Sequence, residues 1–99
     1  MLESAYRVCL TRELQLKGMH VVSEVPVPLL YKDVAIDAAY RADLIVDGQV
    51  LLELKSSEKL LAIHDAQLLT YLRLCNLRVG LLLNFNVTSL RQGIRRLIA

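Results

Sequence analysis

Cysteine, long apolar runs and net charge are all scarce in this chain of 99 residues. The two cysteines, Cys9 and Cys75, lie far apart, which excludes a close-spaced zinc motif and a disulfide framework, so we expect buried free thiols. No apolar run approaches the roughly 20 residues that a membrane helix needs. The first residues carry charge too early and too regularly for a signal peptide, which makes the cytoplasm the expected compartment.

The charge is unevenly distributed, although its net value is only +2. Arginines crowd toward the C-terminus, at Arg73, Arg78, Arg91, Arg95 and Arg96. A basic patch can contact phosphates, but charge alone favours a solvated face and neither requires nor excludes nucleic acid.

The mean hydropathy of +0.41 is high for so short a chain. Two explanations stay open. One is an unusually leucine-rich core, and the other is exposed apolar surface that a second copy or a partner protein covers.

Hydrophobic periodicity predicts one domain over residues 1–99, with two helices. The first covers about residues 2–17 and ends at Gly18, and the second covers about residues 60–75. From Val21 the period changes to two, and prolines within that run predict an edge strand.

The remaining strands follow from short apolar runs and turn signals. Lys32–Asp33 is typical of a turn, and Asp47–Gly48 is typical of a hairpin. Strands are predicted over residues 36–46, 50–55 and 78–85, while the tail 90–99 fits a short strand or a final helical turn. The order α-β-β-β-α-β predicts an α/β domain in which helices flank a mixed β-sheet, because a helical crossover joins parallel neighbours.

Three charged residues, Asp43, Glu53 and Lys55, interrupt two apolar strands. Burying a charge costs several kcal/mol unless it is paired or binds a metal. Glu53 and Lys55 share a strand face because they are two residues apart. Asp43 shares it as well if the hairpin loop has three residues, whereas a two-residue loop would turn it to the opposite face.

Two adjacent carboxylates form an oxygen site that suits Mg²⁺ or Mn²⁺. A lysine beside them can orient water or neutralise charge on a phosphate, and phosphodiester hydrolysis needs this combination. The spacing alone nevertheless favours a structural explanation, in which Asp43, Glu53 and Lys55 form a buried salt-bridge cluster without chemistry.

Further candidates lie on the two helices. Gln67 and Tyr71 are four residues apart on the second helix and can point at the end of the third predicted strand, although each alone is ordinary core packing. Glu3 in the first helix is a candidate third carboxylate, although a glutamate in the first helical turn is by itself ordinary helix-dipole and solubility placement. His64 can line the same site, but a capping or surface role is the commoner one.

Five segments together resemble the GxxExxY protein family of the PD-(D/E)XK nuclease-like superfamily. They are residues 2–6, 40–43, 53–55, 64–72 and 80–85. The resemblance covers nearly the whole chain in the same order. It implies a restriction-endonuclease-like core, with helices flanking a central mixed sheet.

The same resemblance implies the roles of the site residues. Asp43 and Glu53 would bind the metal together with the main-chain carbonyl of Leu54, and Lys55 would be the catalytic lysine. Glu3 matches the glutamate of the family motif. Gln67 and Tyr71 match a Q-x-x-x-Y element of lambda-exonuclease-like and related branches.

The chain departs from the family at its N-terminus. The motif glycine would fall immediately before Met1, and members usually carry a further helix upstream. We therefore expect the chain to lack that N-terminal helix and to expose apolar surface.

The favoured function is a Mg²⁺-dependent nuclease or nuclease-like domain acting on DNA. The main rival is a non-catalytic nucleic-acid-binding or scaffold module that keeps the fold. A small-molecule phosphoesterase built on the same metal site is the third reading.

Overall fold

The computed structural model describes residues 3–36, 40–86 and 90–99. In these ranges the helices are α1 (Glu3–Leu16), α2 (Ala62–Leu74) and a 3-10 helix (Leu90–Gly93). The strands are β1 (Val21–Pro26), β2 (Leu29–Tyr31), β3 (Val34–Ile36), β4 (Arg41–Val46), β5 (Val50–Lys55), β6 (Val79–Asn84) and β7 (Ile94–Ile98). Leu2 of the predicted first helix and residues 37–39 of the predicted second strand lie outside the described residues.

Five strands form one mixed sheet in the order β1-β4-β5-β6-β7. Strands β5 and β6 pair in parallel, and all other neighbours in this sheet are antiparallel. Helix α2 connects the parallel pair, as expected of a crossover. The mixed sheet flanked by helices is confirmed, and so is the edge position of the proline-containing strand β1.

The predicted second strand is too long. Its first residue, Ile36, belongs to β3, and the strand that joins the main sheet begins at Arg41. Strands β2 and β3 form a separate hairpin around the predicted turn, where Lys32 and Asp33 have φ values of 47° and 67°. A period of two marks extended residues whichever strand they pair with, so the sequence pattern did not separate this hairpin from the strand that joins the main sheet.

The C-terminal tail forms a strand, which is one of the two predicted alternatives. After the 3-10 helix, β7 pairs antiparallel with β6, from Leu83 opposite Ile94 to Val79 opposite Ile98. Arg95 and Arg96 therefore lie on an edge strand of the main sheet.

The sheet has an apolar layer on each face. On the α2 face, Leu51 and Leu82 pack with Leu68 and Leu72 of the helix. The α1 face holds four buried leucines, Leu44, Leu52, Leu54 and Leu83. Alternation along β5 thus sends Leu52 and Leu54 toward α1 and leaves Glu53 for the α2 face.

Helix α1 covers its face only partly. No residue of α1 from Glu3 onward is buried, and Val8 and Leu16 are 63% and 62% exposed. Both cysteines are free, as predicted, but the predicted burial is wrong, because Cys75 is only half-buried and Cys9 is exposed on α1. Cys9 lies beside the stripe of α1 that contacts the sheet, formed by Tyr6, Leu10 and Leu14.

No helix within the described ranges is long and apolar enough to cross a membrane.

Candidate active site

The β4–β5 hairpin sets the relation between the two central carboxylates. Val46 pairs with Val50 and Leu44 with Leu52, so one further step places Asp43 opposite Glu53. The loop has three residues, 47–49, and the Gln49 N–H donates to the Val46 carbonyl at 3.0 Å. This is the longer loop that a shared face requires, and the prediction of opposed carboxylates on that loop is confirmed.

Main-chain N–H groups hold both carboxylates where the strand ladder ends. The Asp43 N–H donates to Glu53 Oε1 at 3.1 Å, and the Leu54 N–H donates to Asp43 Oδ2 at 2.8 Å. These bonds are charge-assisted when the acceptor is ionised, so they fix the side chains more firmly than neutral bonds would. The two carboxyl groups are therefore preorganised beside each other.

Burial dominates the electrostatics of this pair. Glu53 is 4% exposed, and its burial raises the pKa of the carboxyl from 4.5 to about 8, with the negative charge of Asp43 adding to the rise. The Asp43 N–H bond and the Lys55 ammonium lower that pKa by smaller amounts. Glu53 thus carries a proton at neutral pH until a positive charge joins the site.

Lys55, Gln67 and Tyr71 line one cleft of about 700 Å³ on the α2 face. Gln67 Nε2 donates to the Tyr71 hydroxyl at 2.9 Å, which fixes the i,i+4 pair predicted on the second helix. The Tyr71 pKa is raised, first by burial of the hydroxyl and then by the nearby Glu53 and Asp43 charges. Lys55 lines the cleft and shares its face of β5 with Glu53, so the cleft lies beside the carboxylate pair.

Glu3 stands at the end of β5. Its Oε2 accepts the N–H of Ser56 at 2.9 Å, so α1 is tied to the residue after Lys55. In the ranges that the structure covers, no three His, Cys, Asp or Glu side chains come together as metal ligands. The metal role of Glu3 therefore stays a prediction.

The sequence reasoning gave no role to Asn84, which orders the segment after Lys55. Its amide is 3% exposed, accepts the Ser57 N–H at 3.2 Å and donates to the Ser57 carbonyl at 2.9 Å. It also accepts the N–H of Asn86 at 3.1 Å. The signal in the sequence that could have indicated this role is a polar residue at the end of the apolar strand β6.

His64 combines the two roles weighed for it. Its Nδ1 accepts the Leu61 N–H at 3.0 Å at the start of α2, which confirms the capping role, and the imidazole also lines the cleft. Tyr40, immediately before β4, lines the same cleft, although sequence reasoning assigned it no function.

One of the C-terminal arginines is engaged within the protein. Arg95 Nη1 lies 2.7 Å from Asp65 Oδ2, which ties β7 to α2. Arg73, Arg78, Arg91 and Arg96 are exposed.

Comparison with known proteins gives one family. The model of the PD-(D/E)XK nuclease superfamily matches residues 1–97. No curated protein and no solved structure matches the chain significantly.

Proposed function

Because the chain belongs to the PD-(D/E)XK nuclease superfamily, we propose that it is a divalent-metal-dependent nuclease that hydrolyses phosphodiester bonds in DNA. One observation carries the proposal. Asp43 and Glu53 lie opposite each other, held by main-chain N–H groups, on the sheet face that presents Lys55 to the cleft.

The donor set fits a hard divalent ion. PD-(D/E)XK nucleases generally use divalent metals, and Mg²⁺ and Mn²⁺ prefer carboxylate oxygens. The raised pKa of Glu53 supports the fit, because a positive ion would favour its ionised form. Asp43 and Glu53 would hold the ion, with the Leu54 carbonyl and Glu3 proposed as further ligands.

A bound divalent ion supplies Lewis acidity and lowers the pKa of a coordinated water. The ammonium of Lys55 neutralises charge that develops on the phosphate and orients the attacking water. Gln67 and Tyr71, fixed by their mutual hydrogen bond, position the substrate at the cleft. Arg73 is exposed on α2, the helix that lines the cleft, and would contact the phosphate backbone. Arg78 lies at the far end of the β5–β6 pair from Lys55, and Arg96 follows the α2-facing Arg95 on its strand, so both are placed away from the cleft.

Cleavage of single-stranded and double-stranded DNA with Mg²⁺ or Mn²⁺ tests this proposal. Asp43→Asn and Lys55→Ala are each expected to lower the rate by about 10²–10⁴-fold, the usual size of such contributions. Lys59→Ala is the matched control, because Lys59 is an exposed lysine in the next loop. Equal rates in wild type and both site variants would identify a contaminating nuclease and refute the proposal.

Glu3→Gln tests the third carboxylate separately. If Glu3 contributes to the ion, titration with Mn²⁺ followed by calorimetry gives a weaker affinity than wild type. An unchanged affinity would restrict Glu3 to its hydrogen bond with Ser56.

A non-catalytic module that retains the fold is the second candidate, and the exposed α1 face favours it. Val8 and Leu16 leave apolar surface that a second copy or a partner protein can cover. In this alternative the protein binds nucleic acid or a partner without Mn²⁺ binding and without cleavage. Light scattering after gel filtration measures the predicted self-association.

A further inference from the structure

The cleft beside the carboxylate pair has the size of a small-molecule pocket. Its volume of about 700 Å³ lies in the range of about 300–1,000 Å³ that is common for such ligands. It is shared with the site above, because Lys55 and Tyr71 line it. Whatever occupies the cleft therefore lies next to the reacting phosphate of the proposed nuclease.

The lining is mainly apolar and aromatic. Tyr40 and Tyr71 supply two rings, and Leu29 and Ile63 supply aliphatic walls. Of the described residues that line the cleft, Lys55 is the only lysine or arginine. Proteins bind duplex DNA mainly through many cationic side chains along its phosphates. A lining with one cationic side chain therefore suits a nucleobase better than the phosphate backbone of a duplex.

Tyr40 offers an exposed aromatic ring for stacking. The residue is 48% exposed, and its main-chain carbonyl accepts the N–H of the buried Val27 at 3.0 Å. Its ring centroid lies 5.9 Å from that of Tyr71, with the planes tilted by 48°. Ile63, 69% exposed on the first turn of α2, extends the apolar surface.

We propose that this cleft binds an unpaired nucleobase stacked on Tyr40, so that the substrate is single-stranded DNA or an unwound end. The inference rests on the proposed function, because it places the base next to the carboxylates that would act on its phosphate. Stacking on aromatic side chains tolerates every base, so the cleft selects strand state and not sequence.

Fluorescence anisotropy with labelled oligonucleotides tests the inference without turnover. Three probes of equal length are compared in EDTA: a thymidine single strand, a duplex, and a single strand whose central nucleotides are abasic. The measurement is repeated with Mg²⁺ on the Asp43→Asn protein. The single strand is expected to bind at least about tenfold more tightly than the duplex and the abasic strand.

Two substitutions of Tyr40 and one control substitution of Tyr31 test whether the Tyr40 ring is responsible for single-strand binding. Tyr40→Ala is expected to weaken single-strand binding about tenfold, and Tyr40→Phe to keep it within about twofold, because stacking needs the ring and not the hydroxyl. Tyr31→Ala is the control, since Tyr31 is 62% exposed on β2 outside the cleft lining and its loss should change nothing. Circular dichroism confirms that each variant is folded.

The outcomes separate this inference from the proposed function. Equal binding of single strand, duplex and abasic probe, no binding at all, or no effect of Tyr40→Ala overturns the inference. Metal-dependent cleavage that Tyr40→Ala leaves unchanged would support the nuclease proposal but not the base site. Tyr40-dependent binding without cleavage would support the base site and refute the hydrolysis.

Discussion

The main-chain N–H of Asp43 donates to the carboxylate of Glu53, its neighbour across the β4–β5 pair, at 3.1 Å. The carboxylate of Asp43 in turn accepts the N–H of Leu54 at 2.8 Å. Beyond the last residue pair of the β4–β5 ladder, side-chain carboxylate oxygens accept the strand N–H groups in place of main-chain carbonyls. Main-chain groups of the sheet therefore hold both carboxyl groups. The raised pKa of Glu53 in this arrangement is expected to affect stability and metal affinity.

Stability in the absence of metal is expected to fall as the pH rises from 4.5 to about 8. The folded state holds the Glu53 proton up to about pH 8, whereas the unfolded chain releases it near 4.5. The folded state therefore binds more protons in this window, and the free energy of unfolding decreases by up to about 5 kcal/mol. Urea denaturation in EDTA between pH 5 and 8.5 measures it.

Glu53→Gln isolates the cause of that pH dependence. A neutral amide has no proton to lose, so the variant is expected to show a flatter profile over the same window. Glu13→Gln, at an exposed position on α1, is the matched control and should keep the wild-type slope. A wild-type profile that rises with pH across this range would contradict the assignment.

Affinity for Mn²⁺ is expected to rise with pH. Below pH 8 the ion must displace the proton of Glu53, so the apparent affinity should gain about tenfold per pH unit. Calorimetry at pH 6.5 in two buffers with different ionisation enthalpies should detect the release of about one proton per ion. No difference between the buffers would mean that Glu53 is not a ligand.

Gly80 is expected to resist substitution because α2 lies directly on it. A β-carbon at this position would lie 2.9 Å from Leu68 Cδ1 and 3.1 Å from Leu68 Cγ, and Leu68 is fully buried. Gly80→Ala should therefore lower the free energy of unfolding by about 1–3 kcal/mol. Thermal or urea denaturation measures the change.

The double variant with Leu68→Ala provides the control for this contact. Removing the leucine side chain alone should cost about 2–5 kcal/mol through the cavity it leaves. In that background Gly80→Ala has room, so the combined cost should be smaller than the sum. Strict additivity would show that the close approach of Leu68 is not the cause.

Asn84→Ala is expected to lower both stability and activity. The substitution leaves the N–H and carbonyl of Ser57 without their amide partner in a half-buried turn, at a cost of about 1–3 kcal/mol. It also loosens the segment that follows Lys55. Denaturation and the DNA cleavage rate should both respond.

Ser57→Ala is the comparison for that result. It removes only the bond from the Ser57 hydroxyl to the Lys59 carbonyl at 3.1 Å and keeps both main-chain contacts with Asn84. Stability and cleavage should stay close to wild type. An effect as large as that of Asn84→Ala would assign the role to the serine hydroxyl.

Much of the candidate site could be predicted because the sequence features that indicate it lie within a few residues of one another. Charges inside apolar strands pointed to Asp43, Glu53 and Lys55, since burial of an unpaired charge is costly. The turn pair Asp47–Gly48 indicated the hairpin. Asn84 was missed because its partner, Ser57, is far away in sequence, and one polar residue at a strand end has many explanations.

The amino-acid sequence by itself determined the two long helices, the β4–β5 hairpin and the crossover from β5 through α2 to β6, since backbone preference and hydrophobic period act over a few residues. It also determined which strands carry the charged groups. Only the tertiary structure decided that the loop after Val46 has three residues and so turns Asp43 toward Glu53. Register, the β2–β3 hairpin and the cleft at Tyr40 depend on pairing and packing between distant segments, and a local pattern does not specify those.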